Sequence, residues 1–302
     1  MVESVMKIAI IGGGAVGLLF AHYLNENHDV LIYVRNSDQL NMLRENGLTI
    51  ERNGILSNTR IKACHFSEWK GEEDLTIIAV KQYSIPELTK DLLKMNACKS
   101  GSFLFLQNGM GHLKWAEMLE ADNLFVGSVE HGALKTESDT VLHTGVGVTK
   151  VAALKGDMDF LRKISDSASC FFPFTFIGDH LEMLIQKLIV NSLINPLTAV
   201  LRVRNGELLS NKYYYQLFLK LFDEVSAILN ITDKTAALSH VKSVCEETAM
   251  NRSSMLKDIE EGRETEIDAI LGYILKEAEM KKMSAPYTES LYCQIKGRER
   301  GK

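Results

Sequence analysis

Through the first half of the chain, short runs of consecutive apolar residues alternate with amphipathic stretches of helical period. The runs at 7–11, 30–34, 75–80, 102–106 and 124–128 are rich in Ile, Val, Leu and Phe, the length and composition of buried strands. With helical stretches between them they read as βαβ units feeding a mostly parallel sheet. Between the second and third runs lie 47–51 and 59–63, separated by Asn53-Gly54. That dipeptide predicts a small hairpin or an edge extension. Alternation resumes over 141–154, and 172–178 gives a last short strand or a linker.

After about residue 179 the period changes from two to about 3.6. Long helical patterns run over 181–201, 213–229, 232–250 and 264–283. The expected fold class is therefore α/β: a Rossmann-type dinucleotide-binding domain over 1–178 and an all-helical domain over 179–302. At 302 residues the chain is long enough for two domains.

Composition narrows the partners. Hydrophobic residues make up 46% and charged residues 24%, the balance of an ordered globular protein. A net charge of −5 with no basic run argues against nucleic acid. The five cysteines, Cys64, Cys98, Cys170, Cys245 and Cys293, form no CxxC pair. No disulfide framework or metal site is expected from them, and they read as buried, reduced thiols of a cytoplasmic protein. The apolar stretch 8–21 is short for a membrane span, follows an acidic Glu3 and is broken by Gly12-Gly13-Gly14. Neither a signal peptide nor a membrane anchor is expected.

That glycine run carries the first chemistry. Ile8-Ala9-Ile10-Ile11 leads directly into Gly12-Gly13-Gly14-Ala15-Val16-Gly17 and then into a helical pattern, the strand–turn–helix context that a GxGxxG motif requires. Gly12 makes the tight turn, Gly14 admits a pyrophosphate to the helix N-terminus, and Gly17 lets helix and strand pack closely. After the second strand the chain reads Tyr33-Val34-Arg35-Asn36-Ser37, with no carboxylate before Asp38. An NAD site usually carries an acid here for the ribose 2′-hydroxyl, so Arg35 points to the 2′-phosphate of NADPH. Lys81 and Asn108 follow two further strands and are candidates for the nicotinamide half. Spacing alone leaves a solvated lysine and an Asn-Gly turn equally open for them.

The helical pattern from 181 is apolar around most of its circumference, except that Lys187, Asn191 and Asn195 recur every four residues. At 100° per residue they fall within an arc of about 80°. Such a stripe is either buried and partnered or turned to solvent.

The stretch from Lys187 to Ala199, with Asn205-Gly206-Glu207-Leu208 after it, resembles the ketopantoate reductase family. So do Asn251 to Ile259, Thr265-Glu266-Ile267-Asp268, the glycine motif and Gln107-Asn108-Gly109-Met110-Gly111. The resemblance spans nearly the whole chain in the family's order. It implies NADPH-dependent reduction of ketopantoate to pantoate, in pantothenate and coenzyme A biosynthesis, in a cleft between the two domains. It also implies that Lys187 hydrogen-bonds the keto oxygen and supplies its proton, with Glu266 as a second catalytic residue in the same pocket. Asn191, Asn195, Asn251 and Ser254 would hold the substrate's carboxylate and hydroxyl, while Lys81 and Asn108 would meet the cofactor. Residues 1–5 and the charged tail 296–302 fall outside the pattern and are expected to fray.

Two other readings compete. One is a related reductase acting on a different 2-oxo acid, the other a non-catalytic module that senses NADPH. The expected partners are a small-molecule substrate and NADPH, without nucleic acid, membrane or metal, in a possible homodimer.

Overall fold

A computed structural model of the chain describes residues 5–95 and 101–299. Cys98, residues 1–4 and the tail residues 300–302 lie outside the described residues. Twelve strands are described: β1 Lys7–Ile11, β2 Asp29–Val34, β3 Leu48–Arg52, β4 Ile55–Thr59, β5 Lys62–His65, β6 Leu75–Ile78, β7 Ser102–Phe105, β8 Asn123–Val129, β9 Gly132–Lys135, β10 Thr140–Gly145, β11 Thr149–Lys155 and β12 Phe174–Phe176. The first unit also holds five helices, α1 Ala15–Leu24, α2 Ser37–Asn46, α3 Ile85–Lys94, α4 Leu113–Ala116 and α5 Asp159–Asp166.

Eight strands form the main sheet, in the order β12-β11-β8-β7-β6-β1-β2-β5. Its six strands from β5 to β8 are all parallel, and β11 closes against β8 antiparallel. Numbered along the chain, those six run 3-2-1-4-5-6, the doubly wound order whose direction reverses beside the first strand. That reversal, between β1 and β6, opens a crevice at the carboxyl ends of the strands. The core strands are continuous apolar runs because both faces of a parallel sheet are covered; in β1, Ile8 to Ile11 are all buried.

A second sheet, β4-β3-β10-β9, lies across α1. Helix α1 packs on β1 and β2 of the main sheet and on β3, β9 and β10 of the smaller one. This is why it is apolar all round, with every residue from Gly17 to Leu24 buried.

Several expectations change in detail. The Asn53-Gly54 turn does join a hairpin, and both residues have positive φ (53° and 77°) as the tight hairpin turn demands. Its second strand, however, is Ile55–Thr59, exposed along most of its length and so without an apolar signature. The run at 59–63 instead leads into β5, which joins the main sheet parallel to β2. The alternation over 141–154 is two strands in different sheets, β10 and β11, separated by Val146-Gly147-Val148. Of the four described cysteines, all free, only Cys245 is buried, while Cys170 and Cys293 are exposed. The expectation of buried thiols therefore fails for those two.

The remaining helices are α6 His180–Leu201, α7 Glu207–Ser210, α8 Lys212–Ile228, α9 Lys234–Glu247, α10 Ser254–Glu260, α11 Ile267–Met280 and α12 Pro286–Glu299. By backbone contacts the chain divides into two compact units: residues up to Gln107 with His112–Met183, and Asn108–Gly111 with the chain from Leu184 onward. The division thus falls inside α6, a little after residue 178, and the short segment Asn108–Gly111 groups with the helices. Gly109 explains that grouping. Its φ is +77°, and a Cβ there would sit 2.2 Å from the carbonyl oxygen of Ala269 in the first turn of α11.

Among the described residues α6 is the one helix long and apolar enough to cross a bilayer, and about half of its residues are buried inside the folded chain. The expected fraying of the tail is overturned for Lys296 to Glu299. They belong to α12, whose Thr288, Leu291 and Ile295 are buried on one face, and Lys296 pairs with Asp268 at 3.0 Å and with Glu299 at 2.7 Å.

Candidate active-site residues

In the first unit the glycine motif forms the turn between β1 and α1. Gly12 has φ +126°, and a Cβ there would meet the backbone of Ala79 and Val80 beyond β6 at 2.9 Å. A Cβ on Gly17 would lie 1.9 Å from the carbonyl oxygen of Gly12, so any side chain would force α1 off its strand. Gly14 is different. It caps α1 with φ −80° and ψ 176°, makes no side-chain cap, and a Cβ there meets nothing within 4 Å. The helix therefore presents the unsatisfied N–H groups of its first turn, Ala15 and Val16 included, beside open space. That is the arrangement that receives a phosphate.

Gln39 braces this turn from the side. Its Nε2 donates to the carbonyl oxygens of Gly13 at 2.8 Å and Ser138 at 2.7 Å. Sequence reasoning did not single it out, although a signal existed: Asn36 caps α2 by accepting from the Gln39 N–H at 2.7 Å, and Asn-x-x-Gln is a capping signature.

A cavity of about 220 Å³ adjoins the turn, lined among others by Gly12, Gly13, Arg35, Asn36, Phe66 and Leu88. Arg35 stands at its edge with its side chain 45% exposed. Nη1 pairs with Glu87 at 3.0 Å and Nη2 with Asp91 at 3.5 Å, and the guanidinium lies 5.3 Å from the Phe66 ring centre. Lys81 is exposed two residues past the Ala79 contact, as the cap of a short turn. His112, at the start of α4, is completely buried, and neither ring nitrogen has a hydrogen-bond partner. Burial pushes its pKa down to about 4, so the ring is neutral at physiological pH.

The other candidates gather in the second unit. Lys187, Asn191 and Asn195 are half-buried on α6 between fully buried Leu188, Leu193 and Leu197. One turn beyond Asn195, the Thr198 hydroxyl donates to Ser253 Oγ at 2.8 Å. Ser253 in turn caps α10 by accepting from the Leu256 N–H at 3.1 Å. This bond ties the start of α10, with exposed Ser254 in its first turn and exposed Asn251 just before it, to the striped helix. The Asn205-Gly206 pair secures the same segment: the Asn205 N–H donates to the Asn251 carbonyl at 3.0 Å and the Gly206 N–H to Ala249 at 3.1 Å. A Cβ on Gly206 would come within 2.7 Å of the Ala249 Cβ.

Asn108, expected to meet the cofactor, belongs by contacts to this unit. Its Nδ2 donates to Glu266 Oε2 at 2.8 Å, and Glu266 is the cap residue of α11. Ser253, Thr198 and Glu299 were not anticipated from the sequence. Among the described residues no group of three or more His, Cys, Asp or Glu is disposed to hold a metal ion.

Comparison with known proteins agrees in extent with this geometry. Residues 8–156 match the family model described as ketopantoate reductase PanE/ApbA, and residues 179–299 match the model of that family's C-terminal region. The 2-dehydropantoate 2-reductase of Bacillus subtilis is 38% identical over 297 residues, 98% of both chains. That of Listeria innocua is 36% identical, again over 98% of each chain. The crystal structure of the probable B. subtilis enzyme superposes with a TM-score of 0.88, covering 97% of this chain and 100% of that one. A ternary complex of D-mandelate dehydrogenase with NADH and anilino(oxo)acetate, 25% identical, has the same TM-score over 97% of this chain and 98% of that one.

Proposed function

The chain belongs to the ketopantoate reductase family, and from that premise we propose how its residues carry out the family's reaction. The protein is a 2-dehydropantoate 2-reductase, an NADPH-dependent oxidoreductase that reduces the 2-keto group of ketopantoate to the alcohol of pantoate. We assign NADPH to the domain 1–178 and ketopantoate to the helical domain 179–302.

The residues present fit the cofactor. Gly12, Gly13 and Gly14 form the turn that would receive the pyrophosphate, and the N–H groups of Ala15, Val16 and Gly17 at the start of α1 would donate to it. Arg35 would hold the 2′-phosphate, and Lys81 and Asn108 would lie toward the nicotinamide half. When bound, NADPH supplies the hydride.

Everything else falls to side chains of the second unit. Hydride arrival at C2 leaves negative charge on the keto oxygen, and a cation placed beside that oxygen usually contributes most to stabilising it. Lys187 is the only Lys or Arg in α6. It polarises the keto group, stabilises the developing alkoxide and gives that oxygen its proton. Asn191, Asn195, Asn251 and Ser254 bind the substrate's carboxylate and hydroxyl. Glu266 cannot approach the substrate carboxylate without like-charge repulsion, so it accepts from the substrate hydroxyl while Asn108 orients it. The single observation that carries this reading is the half-buried Lys187 on a polar stripe in an otherwise apolar helix.

A second reading, a reductase of another 2-oxo acid, is favoured by the equally good superposition on D-mandelate dehydrogenase. NADPH oxidation measured with ketopantoate, 2-oxoisovalerate and pyruvate separates the two. The highest kcat/KM is expected with ketopantoate; equal or higher values with either of the others would reassign the substrate. We further place the protein in the cytoplasm, as a homodimer. Light scattering at assay concentration tests the second assignment.

A further inference from the structure

We propose that Glu299, in the last turn of α12, is a positioning residue for Glu266 and thereby sets how well the substrate's hydroxyl is recognised. The inference rests on the reading of Glu266 as the acceptor of that hydroxyl.

A residue at the start of a helix ordinarily spends its side chain on the first N–H groups, yet Glu266 makes no capping hydrogen bond. The work is done on either side of it. The Thr265 hydroxyl accepts from the Ile267 N–H at 3.2 Å. The Thr265 N–H and hydroxyl both donate to Glu299 Oε1, at 2.8 and 2.6 Å. The backbone on both flanks of Glu266 is thus fixed by one chain of hydrogen bonds that ends on the Glu299 carboxylate.

That carboxylate is itself held. Its side chain is 8% exposed, and its other oxygen pairs with Lys296 at 2.7 Å. Lys296 also reaches Asp268 in the first turn of α11 at 3.0 Å, and the Tyr292 hydroxyl donates to Asp268 at 2.6 Å. Arg298 completes the clamp, donating to the Ala199 and Val200 carbonyls at the end of α6 at 2.7 and 3.0 Å. A buried carboxylate accepting several donors holds its geometry more tightly than neutral groups do.

Helix α11 does not depend on this clamp for its existence. Ile267, Ala269, Ile270, Leu271, Ile274 and Ala278 are buried along it, so losing Glu299 loosens its first turn, where Glu266 sits, and leaves the remainder packed.

The test uses the full-length enzyme and two substrates, ketopantoate and 2-oxoisovalerate, which lacks the hydroxyl. Glu299→Ala is expected to raise KM for ketopantoate roughly tenfold, the worth of one well-made hydrogen bond to a charged group, with NADPH affinity and the constants for 2-oxoisovalerate within about twofold of wild type. Glu299→Gln keeps an acceptor oxygen and should recover most of the loss. Thr265→Val, which removes the hydroxyl but not the N–H, should act in the same direction more weakly and stands in for Glu299→Ala if that variant does not fold. Equal losses on both substrates, or no loss on ketopantoate, would overturn the proposal. Glu266→Ala tells the two layers apart. If it discriminates between the substrates and Glu299→Ala does not, positioning by Glu299 is wrong; if it does not discriminate, the reading of Glu266 is wrong and the proposal goes with it.

Discussion

Single residues carry the cofactor choice, and the magnitudes there decide the outcome. Arg35 is paired with Glu87 and Asp91, but these side chains are 72% and 32% exposed, and exposed pairs contribute at most about 1 kcal/mol. A charge-assisted contact to a phosphate contributes about 1.5–3 kcal/mol, more than either exposed pair, so on the proposed reading a 2′-phosphate bound here would draw the guanidinium away from them. Arg35→Ala should weaken NADPH by about ten- to a hundred-fold and leave NADH nearly unchanged when both dissociation constants are titrated; equal losses would dissociate Arg35 from the phosphate. The glycines separate in the same way. Gly14 has room for a Cβ and an ordinary φ, so Gly14→Ala should keep the melting temperature and lose NADPH affinity. Gly17→Ala should lower the melting temperature itself, because its Cβ has no room against Gly12. The tight turn at Gly12 and the close packing at Gly17 were legible in the sequence, since the motif sits between a recognisable strand and helix. The partners of Arg35 were not, because Glu87 and Asp91 lie more than fifty positions away and carry no local signal.

At the scale of elements, periodicity revealed what is buried and missed what is held by polar bonds. The main-sheet strands other than β5, together with α6, α8, α9 and α11, were legible from their apolar pattern; β5 was read as part of a hairpin because its run follows the Asn53-Gly54 turn. Strand β4, helix α10 and helix α12 were not: β4 is exposed, α10 is short, and α12 buries only three residues. Yet α10 carries Ser254, and what fixes it is the Thr198–Ser253 bond between buried hydroxyls. Thr198→Val removes that donor while keeping volume. It should raise KM for ketopantoate severalfold with little change in kcat, the pattern expected when ground-state and transition-state binding are lost together. An unchanged KM would separate α10 from substrate binding. Within the site, the helical stripe of Lys187, Asn191 and Asn195 was legible because three polar residues at intervals of four interrupt an apolar rod. The Asn108–Glu266 bond was not, since it joins a loop to a helix 158 positions later.

For the whole molecule, the buried histidines set a pH response. Burial lowers the pKa of His22, His112 and His131 to about 4, and His143 is also lowered, chiefly by burial. Phe172 stacks on Tyr23 and His131, His143 packs edge-on against both, and the Tyr23 hydroxyl lies 2.8 Å from His143 Nδ1. An unfolded histidine titrates near 6.5, so as pH falls the unfolded chain takes up protons that the folded one refuses. Stability is therefore full above about pH 6.5 and declines down to about pH 4, by on the order of 3 kcal/mol for His112 alone. Melting temperatures taken from pH 7.5 to 4.5 should fall through that window; a flat profile would contradict the neutral, buried assignment. The central claim is that this chain reduces ketopantoate with Lys187 stabilising and protonating the new alkoxide, and its most direct test is the steady-state rate of ketopantoate-dependent NADPH oxidation by Lys187→Ala beside the unaltered enzyme. Loss of a general acid costs typically 10²–10⁴-fold, so kcat should fall at least about a hundred-fold with NADPH affinity and melting temperature retained. A folded Lys187→Ala protein that binds NADPH and turns over ketopantoate at near-normal kcat would contradict it.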